Sequence, residues 1–247
     1  MFKQFIIAWQ FLTIILIDKR MEVTAESLGK SMAVFPLVGI LLGCMVAILD
    51  MGFTLVFPIP VASALSLACY IAMYGGFHLD GLADTVDGLA GGNDREQILK
   101  IMKDSSIGAI GVVALVLLLL LKYMAITSLP IGFRQGGLIF MPVVGRWVEV
   151  FLVYGSKYAR EGSGLGKPFV EYVGKKEIAI ATILTVVISL FLLDWRGIIV
   201  VAAVALLGLT TKSFFNKKIG GITGDVLGAG GEVSEVLALL FIIAIYQ

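Results

Sequence analysis

The segment Gly75-Gly76-Phe77-His78-Leu79-Asp80-Gly81-Leu82-Ala83-Asp84-Thr85-Val86-Asp87-Gly88 holds the residue types best suited to chemistry. Asp80, Asp84 and Asp87 are spaced i, i+4, i+7, and a helix turning about 100° per residue places all three on one stripe. Carboxylates so placed, between apolar flanks and without an adjacent cation in the sequence, repel one another unless a metal neutralises them. Oxygen ligands of this kind suit Mg²⁺, which takes a few carboxylates together with substrate phosphates and water. A solvated helix end would use the same acids, but glycines crowd this segment, and glycine lets a backbone approach something closely. His78, the single histidine, reads either as an interfacial hydrogen-bonding residue or as a group that binds phosphate or moves a proton. Zinc is disfavoured, because no second histidine or suitably placed cysteine completes a tetrahedral shell.

Other segments add to this stripe. Lys103 in Ile101-Met102-Lys103-Asp104-Ser105 is a phosphate contact by type, and Asp104 either joins the acids or caps the next helix. Arg146 interrupts an apolar run, and a cation there implies an anionic partner, either substrate or one of the aspartates. Tyr158-Ala159-Arg160 with Gly164-Leu165-Gly166-Lys167 is a glycine-rich loop carrying Arg160 and Lys167, a pattern that suits phosphate but is weak alone. Gly220-Gly221-Ile222-Thr223-Gly224-Asp225 and then Glu232 form a second cluster of acids and glycines, in which Thr223 and Gly224 are further phosphate contacts. Phosphoryl transfer needs positioned phosphates, a metal to spread charge and a carboxylate to accept a proton. These segments supply each part without a Walker A sequence, a kinase signature or a nucleophile elbow.

The elements that position these groups are set by the apolar background. Of 247 residues, 59% are hydrophobic and 15% charged, with mean hydropathy +0.99; soluble domains run at roughly 45–50% apolar and about 25% charged. Lipid must therefore solvate part of the surface. Runs near Met32–Phe57, Val61–Phe77, Ile107–Leu129, Leu138–Tyr154, Ile178–Leu193, Ile198–Thr211 and Val233–Tyr246 predict seven crossings. Phe5–Ile17 is short for a span and is followed by Asp18-Lys19-Arg20 where a cleavage site would need small residues, so it reads as a retained interfacial or half-span helix. Cys44 and Cys69 lie in apolar runs without ligand partners and read as small hydrophobes. Lysines and arginines concentrate in alternate connections, with Arg134, Arg196 and Lys122 (read as near a span end) the exceptions. That alternation puts the basic loops in the cytoplasm. The expectation is an all-α, polytopic transmembrane helical bundle of about seven helices plus a short N-terminal helix. It forms one integral membrane domain, 1–247, with active-site loops at about 78–107, 155–177 and 212–232 facing the cytoplasm. Net charge of +1, with no basic block, predicts no nucleic-acid partner.

Taken together these motifs resemble the cobalamin synthase family, the adenosylcobinamide-GDP ribazoletransferases or cobalamin-5′-phosphate synthases. The resemblance rests on 75–88, Ile-Met-Lys-Asp-Ser at 101–105 with Gly108, Gly145-Arg146, Tyr158-Ala159-Arg160 with Gly164-Leu165-Gly166, and Gly-Gly-Ile-Thr-Gly-Asp with Leu-Gly-Ala at 220–229. Phe35-Pro36 with Gly39 and Gly43 adds to it, and the match runs along essentially the whole chain. Val86, where a smaller residue is expected, and the extra length at Gly162-Ser163 depart from the pattern. The resemblance implies Mg²⁺-dependent transfer of adenosylcobinamide phosphate from adenosylcobinamide-GDP to α-ribazole or its phosphate, releasing GMP, in the cytoplasmic membrane. It implies Asp80, Asp84, Asp87, Asp104, Asp225 and Glu232 as metal-site acids, and an aspartate of the first cluster as base. His78, Lys103, Arg146 and Arg160 become phosphate or base-positioning groups. Further copies of the chain, or other enzymes of the pathway, are the protein partners it would allow. A CDP-alcohol phosphotransferase also places aspartates at membrane helix ends, but its DGxxAR order is missing. A cation transporter would place them in broken helices at mid-membrane.

Overall fold

The computed structural model describes residues 1–162 and 164–247, so the added length expected at Ser163 lies outside the described residues. Its regular elements are helices: α1 Phe2–Leu12, α2 Ala25–Ser31, α3 Phe35–Val56, α4 Ile59–Tyr74, α5 Phe77–Gly91, α6 Arg95–Ile101, α7 Ala109–Thr127, α8 Arg134–Val153, α9 Lys167–Tyr172, α10 Lys175–Leu193, α11 Gly197–Lys218 and α12 Gly224–Tyr246. Five stretches are long and apolar enough to cross a bilayer: Ala25–Val56, Ala109–Thr127, Ile131–Val153, Lys175–Lys218 and Gly224–Tyr246. The 44 residues of Lys175–Lys218 are two helices, α10 and α11, packed on each other across a turn in which Asp194 takes φ +47°. A further apolar stretch is α4 with α5, bent by 89°. With α10 and α11 counted separately and the bent α4–α5 pair as one, the count among the described residues is roughly that expected from hydropathy.

Helix α8 is the central strut, buried along nearly its whole length. It meets α3 at backbone contact: a Cβ on Gly39 would sit 2.7 Å from the Pro142 carbonyl oxygen, and one on Gly43 would sit 2.5 Å from that of Ile139. Small residues four apart let two membrane helices approach this closely, where dispersion and backbone contact replace a hydrophobic driving force. Helix α1 is about 16 Å long at 1.5 Å per residue, about half the hydrocarbon thickness, and packs on α2 and α3. That fits the short N-terminal helix expected. Cys44 and Cys69 are half-buried and unpaired.

Helix α5 departs most from a simple bundle. Gly75 and Gly76 both take φ +72°, a region that side chains enter only with strain, and the two together turn the chain sharply off the axis of α4. Helix α5 is not among the five stretches long and apolar enough to cross a bilayer by themselves, and it packs on the N-terminal parts of α7 and α12. Much of the stretch 78–107, expected as loop, is in fact α5 and α6. Helix α12 begins at Gly224, earlier than its apolar run near Val233, and α8 begins at Arg134 rather than near Leu138. Hydropathy marks where lipid is met, whereas a helix continues past that edge wherever caps and neighbours satisfy its ends.

Candidate active site

Two helix starts and two loops meet at the end of the bundle that α5 covers. Helix α5 crosses α12 through glycines on both sides. A Cβ on Gly81 would lie 2.9 Å from the Asp225 backbone, and one on Gly228 would lie 3.0 Å from the His78 Cα. This contact sets Asp80 and Asp84, one on each side of Gly81 in α5, beside Asp225 in the first turn of α12. Burial, then the negative charges of Asp80 and Asp225, push the Asp84 carboxyl up to about 6. Thr223 caps α12, its Oγ1 accepting from the Val226 N–H at 3.2 Å and donating to Asp225 Oδ2 at 3.4 Å. Acids at this helix start also face its positive dipole end.

The loop at 157–160 is sewn to 219–222. The Ala159 N–H donates to the Ile222 carbonyl at 3.0 Å, and the Ile222 N–H donates to that of Lys157 at 2.8 Å. Arg95 on α6 locks both, donating from Nε to the Ile219 carbonyl at 2.8 Å and from Nη2 to that of Ala159 at 2.9 Å. Arg160 is thereby delivered to Asp225 Oδ2 as a half-buried ion pair, and its Nη2 also donates to the Met102 carbonyl at 3.1 Å. That contact places the neighbouring Lys103, exposed, at the rim of the same site. Lys167, in the first turn of α9, lies 3.7 Å from Glu171 and remains largely exposed. A cavity of about 340 Å³ opens here, its lining including the polar Asp80, Tyr158, Arg160 and Asp225, the apolar Phe11, Phe77, Leu165 and Phe169, and also His78 and Glu149.

Several expected members stand elsewhere. Asp87 spends both carboxylate oxygens on the start of α7, accepting from the Gly108 N–H at 2.7 Å and the Gly111 N–H at 2.8 Å. The helix end supplies the positive partner that the sequence reading assigned to a metal. Asp104 is exposed and folded into its own turn, accepting from the Ser106 N–H at 3.0 Å and from its hydroxyl, bonds that hold its carboxyl below the usual range.

Glu232 and Arg146 are corrected most plainly. Glu232 stacks below Asp225 on α12 as its spacing implies, but two turns deeper, where it is fully buried. It accepts from Lys122 Nζ at 2.5 Å and from the Tyr74 hydroxyl at 2.7 Å. Lys122 donates also to Glu235 at 2.7 Å, and Tyr70 to Glu235 at 2.5 Å. Lys122 is thus a buried counter-ion, not a residue near a span end. Arg146, 1% exposed, is paired with Glu149 at 2.5 Å and Glu235 at 3.3 Å and does not itself line the cavity. His78 joins this network: Arg146 Nη1 contacts both of its ring nitrogens, Nδ1 at 2.9 Å, and Nε2 lies 3.2 Å from Glu149. Three glutamates meet two cations here.

The sequence pattern of the cobalamin-5-phosphate synthase family matches residues 4–243. The chain belongs to that family. Adenosylcobinamide-GDP ribazoletransferases in this family include one from Geotalea daltonii, 43% identical over 245 residues and covering 99% of this chain and 98% of that one. The homologue of the same name from Acetivibrio thermocellus is 38% identical over 238 residues, 96% of either chain. That from Clostridium acetobutylicum is 37% identical over 244 residues, 99% of this chain and 97% of its own. No solved structure matches. Family membership fits the resemblance carried by 75–88 and 220–229, the two segments that form the α5–α12 crossing.

Glu149, Tyr70 and Tyr74 escaped the sequence reading. The Arg146–Glu149 pair was visible in principle, as opposite charges at i, i+3 inside an apolar helix. Phe11, Phe77 and Phe169 carried no signal, because isolated aromatics in apolar segments are ordinary core residues.

Proposed function

We propose that this chain transfers the adenosylcobinamide phosphate unit of adenosylcobinamide-GDP to a ribose hydroxyl of α-ribazole or of its 5′-phosphate, releasing GMP. The observation that carries this reading is the approach of Asp80, Asp84 and Asp225 at the α5–α12 crossing, with Asp80 and Asp225 lining the cavity and Asp225 paired with Arg160. The transfer forms a bond from the acceptor oxygen to the phosphorus next to the cobinamide, and breaks the bond from that phosphorus to the GMP oxygen. The hydroxyl proton passes to a carboxylate, and Asp80, which lines the cavity from α5, is placed to take it. Arg160, Lys103 and Lys167 lie around the rim as donors for the diphosphate, where fixed cations stabilise developing charge. The relatives' names and the shared motifs support the substrate pair.

Mg²⁺ fits this donor set. Among the described residues no three Asp, Glu, His or Cys side chains converge tightly enough to cage an ion alone. Mg²⁺ commonly binds through one or two carboxylates and completes its shell with substrate phosphates and water. One or two of Asp80, Asp84 and Asp225 would hold it together with substrate phosphate, and the repulsion that Asp80 and Asp225 exert on Asp84 is the charge it would relieve. Bound there, the ion would neutralise phosphate charge and orient the transferring group. We place the cavity on the cytoplasmic side of the cell membrane, since the lysine- and arginine-rich connections share its end of the bundle. Lipid is then the surrounding solvent, with no nucleic-acid partner.

Purified protein in detergent or vesicles, given Mg²⁺, adenosylcobinamide-GDP and α-ribazole, should release GMP in step with cobalamin formation. GMP release without acceptor consumption, or none at all, overturns the assignment. A proton and a cation compete for Asp84, so the apparent Mg²⁺ affinity should weaken as pH drops through about 6 and level off at higher pH. Magnesium titrations of the initial rate at several pH values read this directly; an affinity flat across that range would remove Asp84 from the metal site.

A further inference from the structure

We infer that the aromatic wall of the cavity, with Phe11 of α1 at its centre, is the binding surface for the flat, apolar base of the nucleoside acceptor. This rests on the proposed transfer. The cavity lining is of two unlike kinds. One is acidic and basic, from Asp80, Asp225 and Arg160; the other is a fixed cluster of rings. Phe11 meets Phe77 edge-on at 5.8 Å and Phe169 edge-on at 5.0 Å. Phe169, 3% exposed, is held in turn by Phe35 at 5.8 Å. Rings locked by edge-to-face packing form a preorganised surface, and Phe77 stays 40% exposed at the cavity with an open ring.

Size and polarity select among the reactants. About 340 Å³ lies at the small end of the roughly 300–1,000 Å³ of small-molecule sites. It suits a nucleoside and is too small to enclose a corrinoid with its peripheral side chains. Phosphates favour the charged groups. The donor's guanine is the competing planar group, but its edge carries several donors and acceptors that need partners. The phenylalanines offer none, and the nearby His78 and Glu149 are committed to Arg146 and to each other. A benzimidazole, apolar along its outer edge, loses nothing against such a wall. The Tyr158 side chain also lines the cavity, its hydroxyl packed against Gly164. Both reactive partners then lie correctly: base on the rings, ribose toward Asp80.

The test is steady-state kinetics of Phe11→Leu and Phe11→Trp in the full chain, varying each substrate separately. Phe11→Leu should raise KM for α-ribazole about tenfold, the size of one lost base–aromatic contact, with KM for adenosylcobinamide-GDP little changed. Phe11→Trp should restore most of the acceptor affinity. A rise confined to the donor KM, or a fall in kcat with both KM values intact, overturns the inference and assigns the wall to guanine or to structure alone. If Phe11→Leu unfolds, Phe77→Leu on the exposed ring decides by the same split. A wild-type protein that never releases GMP would instead defeat the proposed transfer, so the two failures are distinct.

Discussion

Asp84→Asn turns over roughly 10²–10⁴-fold more slowly than the wild type while remaining folded and inserted. The substitution keeps shape and removes one charge from the group that Asp80 and Asp225 press upon. Its effect on stability has the opposite sign to its effect on activity. In the folded chain the Asp84 carboxyl titrates at about 6 rather than 3.8, so the folded state binds that proton more tightly than the unfolded chain. Without divalent cation, wild-type stability therefore rises as pH falls through about 6, and the gain is complete below the unfolded value. Asp84→Asn lacks this step. Initial rates at saturating substrate, with thermal unfolding in detergent and chelator across pH, read both quantities. Wild-type turnover in Asp84→Asn would take Asp84 out of the mechanism.

Lys122→Met costs about 3–5 kcal/mol of stability, the penalty for stranding buried carboxylates. Glu232 and Glu235 are both fully buried and share this one ammonium at 2.5 and 2.7 Å. Removing it leaves only the hydroxyls of Tyr74 and Tyr70 and a distant Arg146 contact. The variant should express poorly and melt far below the wild type. Combining it with Glu232→Gln and Glu235→Gln should recover most of the loss, because no uncompensated charge then remains. Thermal unfolding of the three proteins decides: a single variant as stable as the wild type would mean the cluster is hydrated or protonated rather than ion-paired. Recovered activity in the triple variant would further show that Glu232 serves the fold and not a metal.

Much of the site was legible because its residue types are rare in a lipid-solvated chain. Asp80, Asp84, Asp225 and Arg160 stood out as polar groups beside glycines, and the glycines proved to be the places where α5 and α12 touch. Spacing could not say which acids share a partner. Asp87 lies on the same stripe as Asp84, yet the start of α7 takes it, a neighbour 21 residues on that no local periodicity reveals. Glu232 follows Asp225 at helical spacing, and only depth separates an acid at the cavity from one in a buried ion network.

Composition and periodicity by themselves determined a helical membrane bundle of about seven helices, a short helix before them, and the gathering of chemically able residues at one end. These follow from local rules, since lipid demands long apolar helices and charge avoids it. Only the tertiary structure decided which charges neutralise each other. It set Arg146 and Lys122 inside as counter-ions, bent α5 over the end of the bundle through Gly75 and Gly76, and brought Phe11 beside Phe169. Electrostatic energy depends on distance and burial in three dimensions, and residues more than a hundred positions apart, such as Lys122 and Glu232, acquire both only when the helices pack.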